Sequence, residues 1–179
     1  MTLQKDNMFA KTPVLSIAAH LLIGFSTAKI AKKRLYPWYN NLYKPTWLLS
    51  AEKFTTSWAV IYSLMGISSF RIFKSSHELR NPALIAYASH LLLNFTWMPT
   101  FFAYHKLGLS SIILVSMTKC LSVSLALFYL IDPIAAYCLL PYELFSIYAS
   151  IANIWIWKKN KDKKTILKEE FESMNQDEE

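Results

Sequence analysis

Ten consecutive residues, WYNNLYKPTW from Trp38 to Trp47, set four large aromatic side chains beside two asparagines, a lysine and a proline. Aromatic faces stack on flat apolar rings, and a few polar groups can fix the orientation of what they hold. Such a stretch suits the cover of a small-molecule site better than a linker between soluble elements. Three other sets of residues recur at three- and four-residue steps, so each set shares one face of a helix. They are Tyr87, His90, Asn94, Trp97 and Phe101; Phe54, Trp58, Tyr62 and Met65; and Tyr142, Phe145, Ala149 and Asn153. Taken singly, each asparagine is equally well explained by a hydrogen bond between helices, worth roughly 0.6–2 kcal/mol, and each aromatic by packing. Together, three aromatic-polar faces and an aromatic loop describe the lining of a mostly apolar cavity.

Signs of catalysis are thin. The chain contains no HExxH, no glycine-rich phosphate loop and no GxSxG. Its four histidines, at 20, 77, 90 and 105, are scattered, so a haem-iron role for His20 or His90 has no supporting cluster. Asp132, before Pro133, reads as a turn or cap, and Glu143 has no acidic neighbour in sequence. Cys120 and Cys138 sit in apolar runs and read as small buried hydrophobes, which excludes a disulfide framework or a CxxC metal site. The expectation is therefore no catalytic residue and no metal.

The elements that would carry these faces are long and apolar. Hydrophobic residues make up 54% of the 179 and charged residues only 17%, well under the quarter usual in soluble domains. Five segments approach the ~20 apolar residues a membrane span needs. They run from about Pro13 to Ile30, Phe54 to Phe73, Pro82 to Tyr104, Leu109 to Ile131 and Pro133 to Trp157. The second is the weakest, diluted by serines and threonines. Pro99 and Pro141 fall inside segments and are expected to kink them. The fold class is all-α, an integral membrane bundle of five transmembrane helices. Residues 1–12 form a short N-terminal segment, 13–160 the membrane domain and 161–179 a charged tail, a solvated helix end fading into disorder.

The net charge of +7 gathers at segment ends, which points to a membrane surface and not to nucleic acid. Lys29, Lys32, Lys33, Arg34, Lys44, Lys53, Lys106 and the tail lysines fall on one side. Lys5, Lys11, Arg71, Lys74 and Arg80 fall on the other, so the first loop and the C-terminus are expected to face the cytosol. Lys119 is left mid-span. The first segment lacks the cleavage site of a secretory signal.

Four blocks in order resemble one family. WYNNLYKPTW is similar to its WYxxLxKPxW, WAVIYSLMG to WxxLYxxMG, LLLNFTWMPTFF to LxLNxxWxPxFF, and PYELFSIYASIANIWIWKKN to PYxxWxxFAxxLNxxxWxxN. This is the translocator protein family, also called tryptophan-rich sensory proteins or peripheral-type benzodiazepine receptors, and the resemblance covers about Pro13 to Asn160. It implies a five-helix bundle with a ligand cavity opening toward the first loop, which binds porphyrins, cholesterol or synthetic aromatic ligands. Carried over by motif, the ligand-binding residues are Ala28, Trp38, Trp47, Phe54, Trp58, His90, Asn94, Trp97, Phe101, Phe145, Ala149 and Ala152. Several positions depart from the pattern. Leu48, Leu49 and Ser50 replace the usual residues after the loop tryptophan, His90 replaces a glutamine, and Phe145 replaces a tryptophan linked to light-dependent porphyrin breakdown. Ile154 replaces the tyrosine of a cholesterol-recognition motif, and Lys119 displaces a small residue.

The resemblance implies a membrane-embedded binding protein for tetrapyrroles (porphyrin or haem) or sterol-like lipids, acting in their transport, scavenging or sensing. The alternatives are a light-dependent porphyrin-degrading enzyme or a membrane interaction scaffold. Lys32, Lys33, Arg34 or Lys44 would meet porphyrin carboxylates at the mouth, or would simply fix orientation. The expected partners are the lipid bilayer, the ligand and a second copy in a homodimer. The expected membrane is the mitochondrial outer membrane or another endomembrane, with a bacterial envelope as the other location.

Overall fold

The structure, a computed structural model, describes residues 13–34 and 38–176, without the side chains at 27, 28, 30–34, 51 and 162–176. It contains helices α1 (Val14–Arg34), α2 (Ala51–Lys74), α3 (Arg80–Phe102), α4 (Leu107–Ile131) and α5 (Pro133–Gln176), with a single 3-10 turn, Tyr39–Asn41, in the first loop. The helices close into a ring in the order α1, α2, α5, α4, α3, with α2 also touching α3. The shortest has 21 residues, about 31 Å at 1.5 Å per residue, enough to cross the ~30 Å hydrocarbon core.

The distribution of polarity is inverted relative to a soluble bundle. Ile85 and Leu92 on α3, Ile112 and Leu130 on α4, and Leu144 and Ile151 on α5 face outward and are exposed. Ser68, His90, Ser110, Ser124, Ser146 and Asn153 are buried inside. An outward apolar girdle of this extent needs lipid against it, and inward polar groups need partners. Ser68 finds one across the ring, its hydroxyl donating to the Ala135 carbonyl at 2.7 Å. By length and mean hydropathy alone, α4 (1.9) and the Pro133–Lys161 part of α5 (1.4) qualify as spans. The inward polar residues lower the average elsewhere, α2 included.

Local sequence explains where helices stop. Ser50 caps α2, accepting from the Lys53 amide at 3.4 Å. Pro133 cannot continue α4 and holds Asp132 extended at φ −153°. Asp132 then caps α5, accepting from the amides of Ile134 (2.9 Å) and Ala135 (3.3 Å), and so fills the expected cap role. Its other oxygen accepts from Arg71 at the end of α2 at 2.7 Å. At the end of α3, His105 takes the left-handed conformation (φ 54°). The Lys106 amide donates back to the Thr100 carbonyl at 3.1 Å, closing a Schellman turn with histidine where glycine is usual.

Two glycines set the closest approach of α1 to α2. A Cβ on Gly66 would lie 2.5 Å from the Ile17 backbone, and one on Gly24 would lie 2.3 Å from the Tyr62 ring. Pro99 lies in the last turn of α3 and Pro141 inside α5, where the carbonyl of Tyr137 loses its helical donor. The tail departs from expectation. The helix runs on to Gln176, because lysine, leucine and glutamate favour helix without tertiary support. Cys120 and Cys138 are half-buried free thiols rather than fully buried ones.

Candidate functional site

At the end of the ring nearest the first loop, the helices enclose a cavity of about 580 Å³. α1 contributes Leu21, Gly24 and Phe25, and α2 contributes Phe54, Trp58 and Tyr62. α3 adds Trp97, Phe101 and Phe102, and α5 adds Tyr148, Ala149, Ala152 and Asn153. Tyr39, Leu48 and Leu49 of the first loop close it above, and Glu52 stands at its rim. The wall is almost wholly apolar and aromatic, as small-molecule sites of roughly 300–1,000 Å³ usually are.

The aromatic rings form a connected frame. Trp58 stacks on Tyr62 with centroids 5.2 Å apart and meets Phe145 edge-on at 5.4 Å. Phe54 lies 5.5 Å from Phe145. Trp97 lies 5.9 Å from Phe101, which packs on Phe102 at 4.7 Å. The indole N–H of Trp58 is buried and has no hydrogen-bond partner among the described residues.

The first loop is fastened over this frame at several points. The Tyr43 amide donates to Asn160 Oδ1 at 2.9 Å, and Asn160 Nδ2 donates to the Tyr43 carbonyl at 3.0 Å. The Leu49 amide donates to the Tyr148 hydroxyl at 2.8 Å, and that hydroxyl donates to the Trp47 carbonyl at 3.4 Å. Trp38 stacks on His105 at 3.9 Å and meets Phe101 edge-on at 5.7 Å. Inside the loop, Lys44 Nζ donates to the carbonyls of Tyr39 (2.8 Å) and Asn40 (3.2 Å) and sits over the Tyr39 ring. Partial burial holds the Lys44 ammonium below its usual pKa. Burial, and then Tyr148, push the Tyr39 phenol upward, which keeps it neutral.

The structure brings six of the twelve named residues to the cavity wall: Phe54, Trp58, Trp97, Phe101, Ala149 and Ala152. Trp38, Trp47 and Phe145 stand one ring behind it; Trp47 packs on Tyr148 at 5.6 Å. Asn94 lies deeper, joining helices: Tyr62 donates to its Oδ1 at 3.1 Å, and its Nδ2 donates to the Tyr142 hydroxyl at 2.6 Å. His90 is fully buried among Tyr87 and Tyr142 and is off the wall, its two ring nitrogens without hydrogen-bond partners among the described residues. Asn153 reaches the wall but is committed to helix linkage, accepting from Trp97 Nε1 at 3.2 Å and donating to Ser111 at 2.7 Å. His20 is engaged at both nitrogens, with Ser16 and Tyr87 at 2.7 Å each.

The side chains of Ala28, Lys32, Lys33 and Arg34 lie outside the described residues. On α1 the wall is made instead by Leu21, Gly24 and Phe25, which sequence reasoning missed. Gly24 carried a usable signal, being one of only three glycines in the chain. The roles of Tyr148 and Asn160 as fasteners depend on which helix end lies beside the first loop, and no local pattern announces that.

An apolar girdle, an inward polar core and an aromatic chamber beneath a fastened loop define an integral, multi-pass membrane bundle of five helices. The model of the TspO/MBR family matches residues 14–158, and the chain belongs to that family. It is 28% identical to a translocator protein of Sus scrofa over 144 residues, covering 79% of this chain and 85% of that one. It is 29% identical to the protein CrtK of Rhodobacter capsulatus over 131 residues, 72% of this chain and 82% of that one. A tryptophan-rich sensory protein of Cereibacter sphaeroides is 27% identical over 123 residues, 69% and 77% of the two chains.

Proposed function

We propose that this protein binds tetrapyrroles, porphyrin or haem, or sterol-like lipids within the membrane, in their transport, scavenging or sensing. The observation that carries this reading is the 580 Å³ chamber walled by Phe54, Trp58, Trp97 and Phe101 under the fastened first loop. Flat rings gain from burial and from offset or edge-on contact with each aromatic face, about 0.5–1.5 kcal/mol per pair beyond the area term. The unpartnered Trp58 N–H supplies one donor for an acceptor on the ligand. Haem would be held by its faces, since His20 is engaged and His90 is off the wall. The side carrying the first loop and the basic end of α5 faces the cytosol; the membrane is a mitochondrial outer membrane, another endomembrane or a bacterial envelope. The chain acts without covalent chemistry.

The test is tryptophan quenching of detergent-purified protein titrated with protoporphyrin IX in the dark. Wild type should quench saturably, and Ala149→Phe, which fills the chamber, should weaken binding at least about tenfold, the scale of overpacking a close-fitted site. Leu92→Ala on the lipid face should bind as wild type does. Linear quenching identical in all three would refute the porphyrin reading and advance a sterol. Loss of the porphyrin spectrum under light, abolished by Trp58→Phe, would instead favour a degrading enzyme.

A further inference from the structure

Lys119 has no role in the chamber. It is the central residue of α4, with twelve residues on either side within Leu107–Ile131, so about 18 Å of helix separates it from each end. It is exposed on the outer face of the bundle. That distance exceeds what a four-carbon stem can cover by snorkelling, and no contact within the described chain receives its ammonium. A bare cation facing hydrocarbon at mid-depth calls for a counter-charge from outside its own bundle.

One helix away is the complementary defect. Glu143 on α5 is buried at 7% exposure; its Oε1 accepts from Ser122 at 2.6 Å. Its Oε2 has no hydrogen-bond partner among the described residues. Ser122 lies three residues beyond Lys119, so the carboxylate sits about one turn, ~4.5 Å, from the level of the ammonium. Ser122 also begins an outward groove between α4 and α5 that runs along Ala126, Tyr129 and Tyr137. Small side chains at Ser122 and Ala126 let another helix backbone approach closely.

We infer that this α4–α5 face docks a second copy of the chain, with Lys119 of each copy paired to the partner's Glu143. Two copies inserted in the same sense are related by a two-fold axis along the membrane normal, which places the same patch of each at the same depth. Each ammonium then needs to reach only one helical turn along the axis to the opposite carboxylate. The contact is isologous, uses both unsatisfied groups twice and covers the groove. Charge complementarity selects this occupant over a lipid tail, which satisfies neither group.

The test uses full-length protein in phosphatidylcholine vesicles, with Cys120→Ala and Cys138→Ala as background. Oxidation of Ala126→Cys should give a disulfide-linked dimer, and Leu92→Cys on the lipid face of α3 should not. In energy-transfer titrations between labelled copies, Lys119→Met should weaken association at least about tenfold, the step that one paired charge commonly controls. Lys119→Glu should abolish association, and the exchange Lys119→Glu with Glu143→Lys should restore it, which a folding defect would not do. Association unchanged in Lys119→Met, or equal cross-linking at both cysteines, would overturn the proposal. Monomers at every lipid ratio would assign the groove to lipid and overturn it equally.

Discussion

Replacing Asn160 with leucine should release the first loop while leaving the chamber wall intact. Asn160 is buried at 5% exposure and clamps Tyr43 through two bonds, one accepted from its amide and one donated to its carbonyl. Leucine keeps nearly the same volume and deletes both. Each neutral hydrogen bond contributes about 0.5–1.5 kcal/mol net, so the pair holds the loop by about 1–3 kcal/mol, roughly a 5- to 150-fold shift toward the open form. The Tyr43 amide is itself the donor, so its hydrogen exchange reports that opening directly. Exchange at Tyr43 should accelerate by that factor in Asn160→Leu. Amides in the middle of α4 should keep their wild-type rates, which separates loop release from global loosening. Ligand dissociation should quicken by a similar factor. Unchanged protection at Tyr43 would refute the clamp, and uniform acceleration through α4 would show that Asn160 supports the bundle instead.

Three further outcomes follow from the geometry. Gly66→Ala should lower the thermal midpoint in detergent, because its Cβ would sit 2.5 Å from the Ile17 backbone and overpacking typically costs about 1–3 kcal/mol; an unchanged midpoint would mean that α1 moves freely against α2. Burial works against the Asp132 carboxylate, but bonding to Arg71 and to the α5 amides outweighs it and holds the pKa below 3.8. The stability it confers is therefore present above pH 3.8 and lost as pH falls through the lower folded value. The difference in melting between wild type and Asp132→Asn should be constant near neutrality and vanish in acid; one that grew toward low pH would refute the pairing. Protoporphyrin dimethyl ester should bind within about threefold of the free acid, since Lys44 already serves two carbonyls and rim charges screened by solvent contribute only ~0–1 kcal/mol. A hundredfold preference for the acid would show that the mouth reads charge.

Periodicity made much of the architecture legible. The inward faces read at three- and four-residue steps on α3 are inward in the structure, from Tyr87 through Phe101, all of them buried. The end of α4 and start of α5 were visible because Asp132-Pro133 combines a cap with a residue that cannot continue a helix. Depth along a face was not visible. Asn94 and Phe101 share a stripe, yet Phe101 meets the chamber and Asn94 knits helices two turns below it. Which level of a stripe is hollow depends on the sizes of residues on three other helices, and Gly24 and Ala149 open space that no pattern on α3 records. Long-range fastening was equally hidden: Tyr43 and Asn160 are 117 positions apart.

The way the polar interior is satisfied constrains what the chamber can recognise. Asn94, Asn153 and His20 each have their hydrogen-bonding groups taken up by neighbouring helices. Unsatisfied groups in a low-dielectric interior are costly, so a bundle that meets these needs internally stays assembled when the chamber is empty. The same economy leaves few groups free for a ligand. Of the wall residues, Trp58 retains an indole N–H without a partner among the described residues, and Glu52 at the rim carries a charge unfavourable to anions. Selection must then rest mainly on shape and ring contact, with one hydrogen bond to orient the guest. A site of that kind accepts several flat or fused-ring lipophiles with modest discrimination, because apolar contacts reject a near-isostere weakly whereas fixed polar pairs reject it strongly.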